Sequence, residues 1–169
     1  MREKEFLRIF REHHGALFRF AYRLTGSAAD AEDLVQECFL QLLRPECSYD
    51  AKRAPVRTYL FGVVRNQALK RAPRDSGVVE GRHTSTPERE LLRAEVGDLV
   101  SAAVARLPQM QREVLILTHY EQMALADIAE VVGADLGAVK SRLQRAREGL
   151  REMLADYAPE LSNKRGEGR

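Results

Sequence analysis

Lys140, Ser141, Gln144 and Arg145 recur at one-, three- and four-residue steps, with Gly137 before them and Arg142 and Arg147 on either flank. At about 100° per residue these positions share one side of a helix. Residues 140–151 hold five basic side chains against one acid, Glu148. A hydroxyl and an amide can read base edges while guanidinium groups meet phosphates, which is the chemistry of a helix lying in a DNA major groove. A solvated basic face has the same composition, and helix-turn-helix patterns also occur inside enzymes. The rest of the chain has to discriminate between these readings.

Two further clusters do so. Residues 52–74 contain seven Lys/Arg and no Asp or Glu. Within them Tyr59, Gly62, Asn66 and Lys70 share the outer side of a helix expected over Arg57 to Arg71, whose Leu60, Phe61, Val64 and Ala68 face inward. An aromatic ring, an amide and several cations on one exposed side suit unstacked bases next to phosphates. Residues 27–43 invert the charge, with four acids and no base. Acids in a first turn complement the helix dipole, and an acidic outer side carrying Asp33, Gln36, Glu37 and Gln41 also suits a basic protein surface.

The elements that position these clusters all read as helices. Phe6, Leu7, Phe10, Leu17, Phe18, Phe20, Ala21 and Leu24 give residues 3–24 a helical pattern, with a break expected at Gly15 beside His13 and His14. Those two histidines, lacking a carboxylate partner at ligand spacing, are expected at the surface. Thr25-Gly26-Ser27 reads as a turn and Asp30 as the cap of a helix over Ala31 to Leu43, whose apolar side is Leu34, Val35, Cys38, Phe39, Leu42 and Leu43. Pro45 to Pro55 reads as a loop. Residues 72–90, rich in Pro, Gly, Ser and Thr, lack periodicity and read as a linker.

Beyond the linker, Val96, Leu99, Val100, Ala103, Val104 and Leu107 form a stripe stopped by Pro108. Val114, Leu115 and Leu117 mark a helix ending near His119-Tyr120. Ile128, Ala129, Val131 and Val132 belong to a short helix that Gly133 ends in a left-handed conformation. Asp135 caps the last helix, and Val139, Leu143, Ala146, Leu150 and Met153 form its inward stripe. Nothing reads as a strand, and the tail SNKRGEGR is expected to fray. The expected fold is all-α: two small helical domains, residues 1–72 and 91–157, joined by a flexible linker at 73–90 and followed by a disordered tail at 158–169.

Composition narrows the function. With 44% apolar and 31% charged residues the chain is globular, and a net charge of +2 leaves only local clustering to argue for nucleic acid. No apolar run approaches the ~20 residues of a membrane span, and MREKEFLRIF lacks the apolar core of a secretion signal. A cytoplasmic location is expected. Cys38 and Cys47 are not in CxxC spacing, so no metal is expected, and no pattern asks for a cofactor. Neither a Gly-rich phosphate loop nor a nucleophile–base pair argues for an enzyme.

Taken together, DAEDLVQECFLQLLR (30–44), YDAKRAPVRTYLFGVVRNQALKR (49–71) and LPQMQREVLILTHYEQMALADIAEVVGADLGAVKSRLQRAREGLREML (107–154) resemble a bacterial RNA polymerase sigma factor of the extracytoplasmic-function group. The resemblance covers nearly the whole chain except linker and tail. It implies an N-terminal domain for the core polymerase clamp and the −10 element, and a C-terminal helix-turn-helix domain for the −35 element. By position it assigns Asp33, Gln36 and Glu37 to the clamp of the polymerase's largest subunit. It assigns Tyr49, Asp50, Arg53, Arg57, Tyr59, Arg65 and Asn66 to the −10 element and its flipped bases. Lys140, Ser141, Gln144 and Arg145 fall to −35 bases, with Arg142 and Arg147 on phosphates. It further implies contact with the flap of the second-largest subunit, promoter DNA as ligand and an anti-sigma factor as regulator. Three positions depart from the pattern: Tyr59 stands where Trp is common, Ala124 where Ser usually caps, and Gln122 where Gly is usual. Rival readings are a free-standing helix-turn-helix regulator, which has no use for the acidic helix, and a sigma-like decoy that titrates an anti-sigma factor without touching DNA.

Overall fold

The first helix, α1 (Glu3–Thr25), opens with Glu3 and Glu5 and closes with Arg23, charges that complement its dipole. Ile9, His13, Leu17, Phe20 and Ala21 are buried along it at three- and four-residue steps. The expected break at Gly15 does not occur. Gly15 is exposed, and a mid-helix glycine costs only ~1 kcal/mol, which the apolar face of a long helix offsets. His13 corrects the surface expectation as well: it sits on the buried stripe, and burial holds its imidazole below the ordinary histidine range.

A computed structural model describes residues 3–71 and 88–155, with the side chains of 88–96 left aside. After the left-handed Gly26 (φ 69°), α2 (Ala28–Leu43) begins three residues earlier than expected. Its cap is Ser27, whose Oγ accepts from the Asp30 N–H at 3.2 Å. Asp30 is therefore in the first turn rather than the cap. A loop leads to α3 (Val56–Arg71). Leu34, Val35, Cys38 and Phe39 of α2 meet Leu17 and Phe20 of α1 and Leu60, Phe61 and Val64 of α3 in the N-terminal part of the core.

Helix α4 (Glu88–Arg106) starts inside the stretch read as linker; residues 72–87 and the tail from 156 lie outside the described residues. Pro108 separates it from α5 (Gln109–His119), and Arg112 Nη1 donates to the Ala105 carbonyl at 2.8 Å across that junction. The short α6 (Leu125–Val132) has no side-chain cap at Ala124, and Gly133 ends it at φ 62°, ψ 43°. Gln122 adopts φ 50° in the preceding turn, a left-handed conformation that Gly would enter without strain. In α7 (Leu136–Met153) Asp135 caps as expected, its Oδ1 accepting from the Ala138 N–H at 2.9 Å. Val139, Leu143 and Ala146 seat α7 against α5 and α6. Helix α3 packs on α6 and α1 on α5, so one apolar core runs from Ile9 to Ala146. Among the described residues there is no strand, and no helix is long and apolar enough to cross a membrane.

The two thiols differ in a measurable way. Cys38 is fully buried, its Sγ 3.6 Å from the Leu60 carbonyl, and burial pushes the thiol up to about 12. Since the thiolate is the nucleophile, only ~10⁻⁴ of Cys38 is in the reactive form at pH 8. Cys47 is half-buried in the loop beside Tyr59. Iodoacetamide at pH 8 is expected to add one group to the folded chain and two in guanidinium, read by intact mass. Two rapid additions to the folded chain would mean that the α2–α3 packing opens readily.

Candidate nucleic-acid interface

On α7 the inward stripe leaves the opposite side free. Lys140, Ser141, Gln144, Arg145 and Arg147 are exposed and Arg142 is half-buried. Gln144 Nε2 donates to Glu148 Oε1 at 3.1 Å, and Arg147 Nη2 lies 3.4 Å from His119 Nε2. Lys140, Ser141 and Arg145 therefore present the least encumbered polar groups. Leu136 is 41% exposed at the first turn of the same helix, an apolar contact that polarity alone did not single out.

The α3 cluster is less uniform. Asn66, Asp50 and Arg53 are exposed, whereas Tyr49 and Tyr59 are half-buried with ring centroids 5.2 Å apart. Tyr59 also reaches Cys47 Sγ through its hydroxyl at 3.5 Å, and burial raises both phenols above the ordinary tyrosine value. Asp50 organises the loop: its Oδ1 accepts from the Lys52 N–H at 2.9 Å.

Arg57 and Arg65 are committed to the C-terminal half. Arg65 Nε donates to Glu113 Oε2 at 2.7 Å, with side chains only 13% and 1% exposed. Arg57 donates through Nη2 to the Glu121 carbonyl, stands 4.0 Å from its carboxylate and lies over the Phe61 ring at 5.4 Å. From α1, Arg23 reaches the same carboxylate at 3.9 Å and covers the Tyr120 ring at 4.1 Å. Glu121 Oε1 nevertheless accepts no hydrogen bond. Burial pushes the Glu121 carboxyl above the usual carboxylate range, against the pull of Arg19, Arg23 and Arg57. Glu113 was not singled out from the sequence, although it precedes Ile116 and Leu117 at three- and four-residue steps, on a buried side of α5.

The acidic face of α2 is open. Asp33 and Gln36 are exposed, and Glu37 pairs with Arg44 at 3.0 Å. Leu40 and Leu43 continue that side, 54% and 50% exposed. Leu43 was expected on the inward stripe, but the helix's last turn carries it past the edge of the α1–α3 core. The exposed side is thus acidic at one end and apolar at the other.

Residues 9–76 match the family described as Sigma-70 region 2, and residues 98–150 match Sigma-70, region 4. The chain is 38% identical over 156 residues to the ECF RNA polymerase sigma factor SigL of Mycobacterium tuberculosis, covering 88% of each. It is 32% identical to the ECF sigma factor SigE of Mycolicibacterium smegmatis, covering 91% of this chain and 63% of that one. Among solved structures it is similar to the sigma factor RpoE in complex with the anti-sigma factor NepR from Bartonella quintana. There the TM-score is 0.67 at 25% identity, covering 90% of this chain and 98% of that one. CnrH in complex with the cytosolic domain of CnrY aligns with a TM-score of 0.71 at 25% identity, covering 92% and 90%. With both sigma regions matched in order and a relative this similar along most of its length, the chain belongs to the ECF RNA polymerase sigma factors.

Proposed function

We propose that the chain works as an alternative sigma factor through three separate surfaces, one for core polymerase and two for promoter DNA. The observation that carries this reading is the segregation of charge on two sigma regions in one chain. Four acids and no base fall in 27–43, against seven bases and no acid in 52–74 and five bases in 140–151. Asp33, Gln36 and Glu37, extended by Leu40, form the contact for the clamp of the largest subunit. Tyr49, Arg53, Arg57, Tyr59, Arg65 and Asn66 serve the −10 element, the rings stacking flipped bases and the cations meeting phosphates. Asp50 contributes by shaping the loop. Lys140, Ser141, Gln144 and Arg145 read the −35 element, with Arg142 and Arg147 on its backbone. The flap of the second-largest subunit takes the C-terminal module.

No step requires a catalytic residue of this chain. Binding energy for flipped bases offsets an unstacking cost of a few kcal/mol. Two weak DNA contacts on one chain, both delivered by polymerase, become effectively intramolecular and gain avidity of ~10²–10⁴. An anti-sigma protein is the regulator that suits this arrangement, in keeping with the similar sigma factor RpoE, which is seen in complex with the anti-sigma factor NepR.

Run-off transcription with sigma-free core polymerase on a promoter library tests the reading, and no transcript from any template would favour the decoy instead. Within that assay, Arg145→Ala is expected to relax preference at one position of the −35 element by ~1–3 kcal/mol. An equal loss on every template would make Arg145 a phosphate contact.

A further inference from the structure

A single exposed leucine is ordinary on a protein surface; Leu136 is set apart by its position. It stands 41% exposed at the first residue of α7 and is not among the apolar side chains packed against the core. Lys140 and Gln144 follow it at four-residue steps, so one exposed row of the helix begins apolar and continues polar. Gly137 beside it carries no side chain, and a Cβ there would come within 3.1 Å of Asp135 Oδ1, the oxygen that caps the helix. The glycine that suits the cap thus also leaves room beside the leucine.

We propose that Leu136 is a specificity-determining residue of the −35 contact, its side chain packing on the 5-methyl group of a thymine. The inference deepens, and rests on, the −35 reading of α7. A recognition helix brings its N-terminal residues to base edges in the major groove. Of the groups that tell the base pairs apart there, only the thymine methyl is apolar; the others donate or accept hydrogen bonds. A leucine side chain can do neither, so against a G·C pair it would cover polar edges without replacing the water they lose. Against thymine the same side chain buries a methyl group, worth ~0.8 kcal/mol, or about four-fold at 1.4 kcal/mol per tenfold. Leu136 and Gln144 stand ~12 Å apart along the helix at 1.5 Å per residue, far enough to meet different base pairs. The leucine therefore adds an A·T requirement that the polar residues of the row do not supply.

The experiment uses holoenzyme, assembled from the full chain and core polymerase, on a fluorescein-labelled duplex promoter taken from the run-off library. Each thymine of its −35 element is replaced in turn by deoxyuridine, which pairs alike but lacks the methyl. One replacement is expected to weaken binding by the parent about four-fold. Leu136→Ala should bind both duplexes equally, and Leu136→Met should keep the difference. Both variants should fold, since an exposed side chain outside the core leaves no cavity when trimmed. A selected −35 element without a thymine overturns the proposal. So does a methyl whose loss costs the parent and Leu136→Ala alike, or a parent indifferent to every methyl. A scrambled −35 element tells this failure from that of the underlying reading. A parent that loses affinity on it keeps the −35 role of α7 without the leucine contact. Undiminished affinity, like a library that yields no promoter, removes both.

Discussion

A chain carrying Asp33→Lys and Glu37→Lys together is expected to lose at least ~100-fold in affinity for core RNA polymerase, about 3 kcal/mol, because like charges forced together at an interface cost several kcal/mol. The fold should survive the change. Asp33 is exposed, and Glu37 pairs with Arg44, 52% exposed, a kind of surface pair worth at most ~1 kcal/mol. Competition between labelled parent and variant for core polymerase measures the affinity, and a thermal melt checks the fold. The loss should shrink as salt rises, since charges at the rim of an interface are screened. Leu40 supplies the control. Leu40→Ala should weaken binding with little salt dependence, because what it removes is apolar area. Undiminished affinity of the charge-reversed chain would remove α2's acidic side from the polymerase contact and leave that surface without a role.

The helices were legible wherever a local rule was sufficient. Gly133 and Asp135 act where steric permission and an orphan N–H demand them, and the α7 stripe and its polar side follow from spacing. Local rules competed at the start of α2, where Ser27 and Asp30 are both acceptable caps three residues apart. The left-handed Gly26 stops α1 and leaves Ser27 extended, which settles the choice. His13 was misread because an isolated imidazole looks polar in sequence, yet it falls four residues from both Ile9 and Leu17 on the buried stripe.

The largest gap is the seam between modules. Arg65 and Glu113 are 48 positions apart, and Arg57 and Glu121 are 64 apart. Charged residues in an amphipathic pattern read as solvated by default, and no periodicity tells which distant charge will meet them. Only the step from Glu113 to Ile116 and Leu117 hints that one acid sits on a packed face. The helix faces were thus readable position by position, while the partners of Arg57 and Arg65 depend on packing between halves.

Phe61→Ala is expected to cost about 3–5 kcal/mol of stability in urea unfolding, the range for deleting a buried phenylalanine. A domain holds only ~5–15 kcal/mol in all, so the variant should melt far below the parent. Phe61 is fully buried, with its ring 5.1 Å from that of Phe20, which is equally buried. Phe20→Ala should therefore lose a similar amount. The two should differ at the seam, because Arg57 lies 5.4 Å over the Phe61 ring, a contact worth ~0.5–1 kcal/mol or more. Removing that ring frees Arg57 from one of its supports, whereas removing Phe20 leaves the support in place. At equal loss of stability, Phe61→Ala should bind single-stranded DNA more tightly than Phe20→Ala below the melting range. Equal DNA affinity for the two would separate core packing from Arg57 placement, and a loss under ~1 kcal/mol for Phe61→Ala would mean that the α1–α3 core closes over the gap.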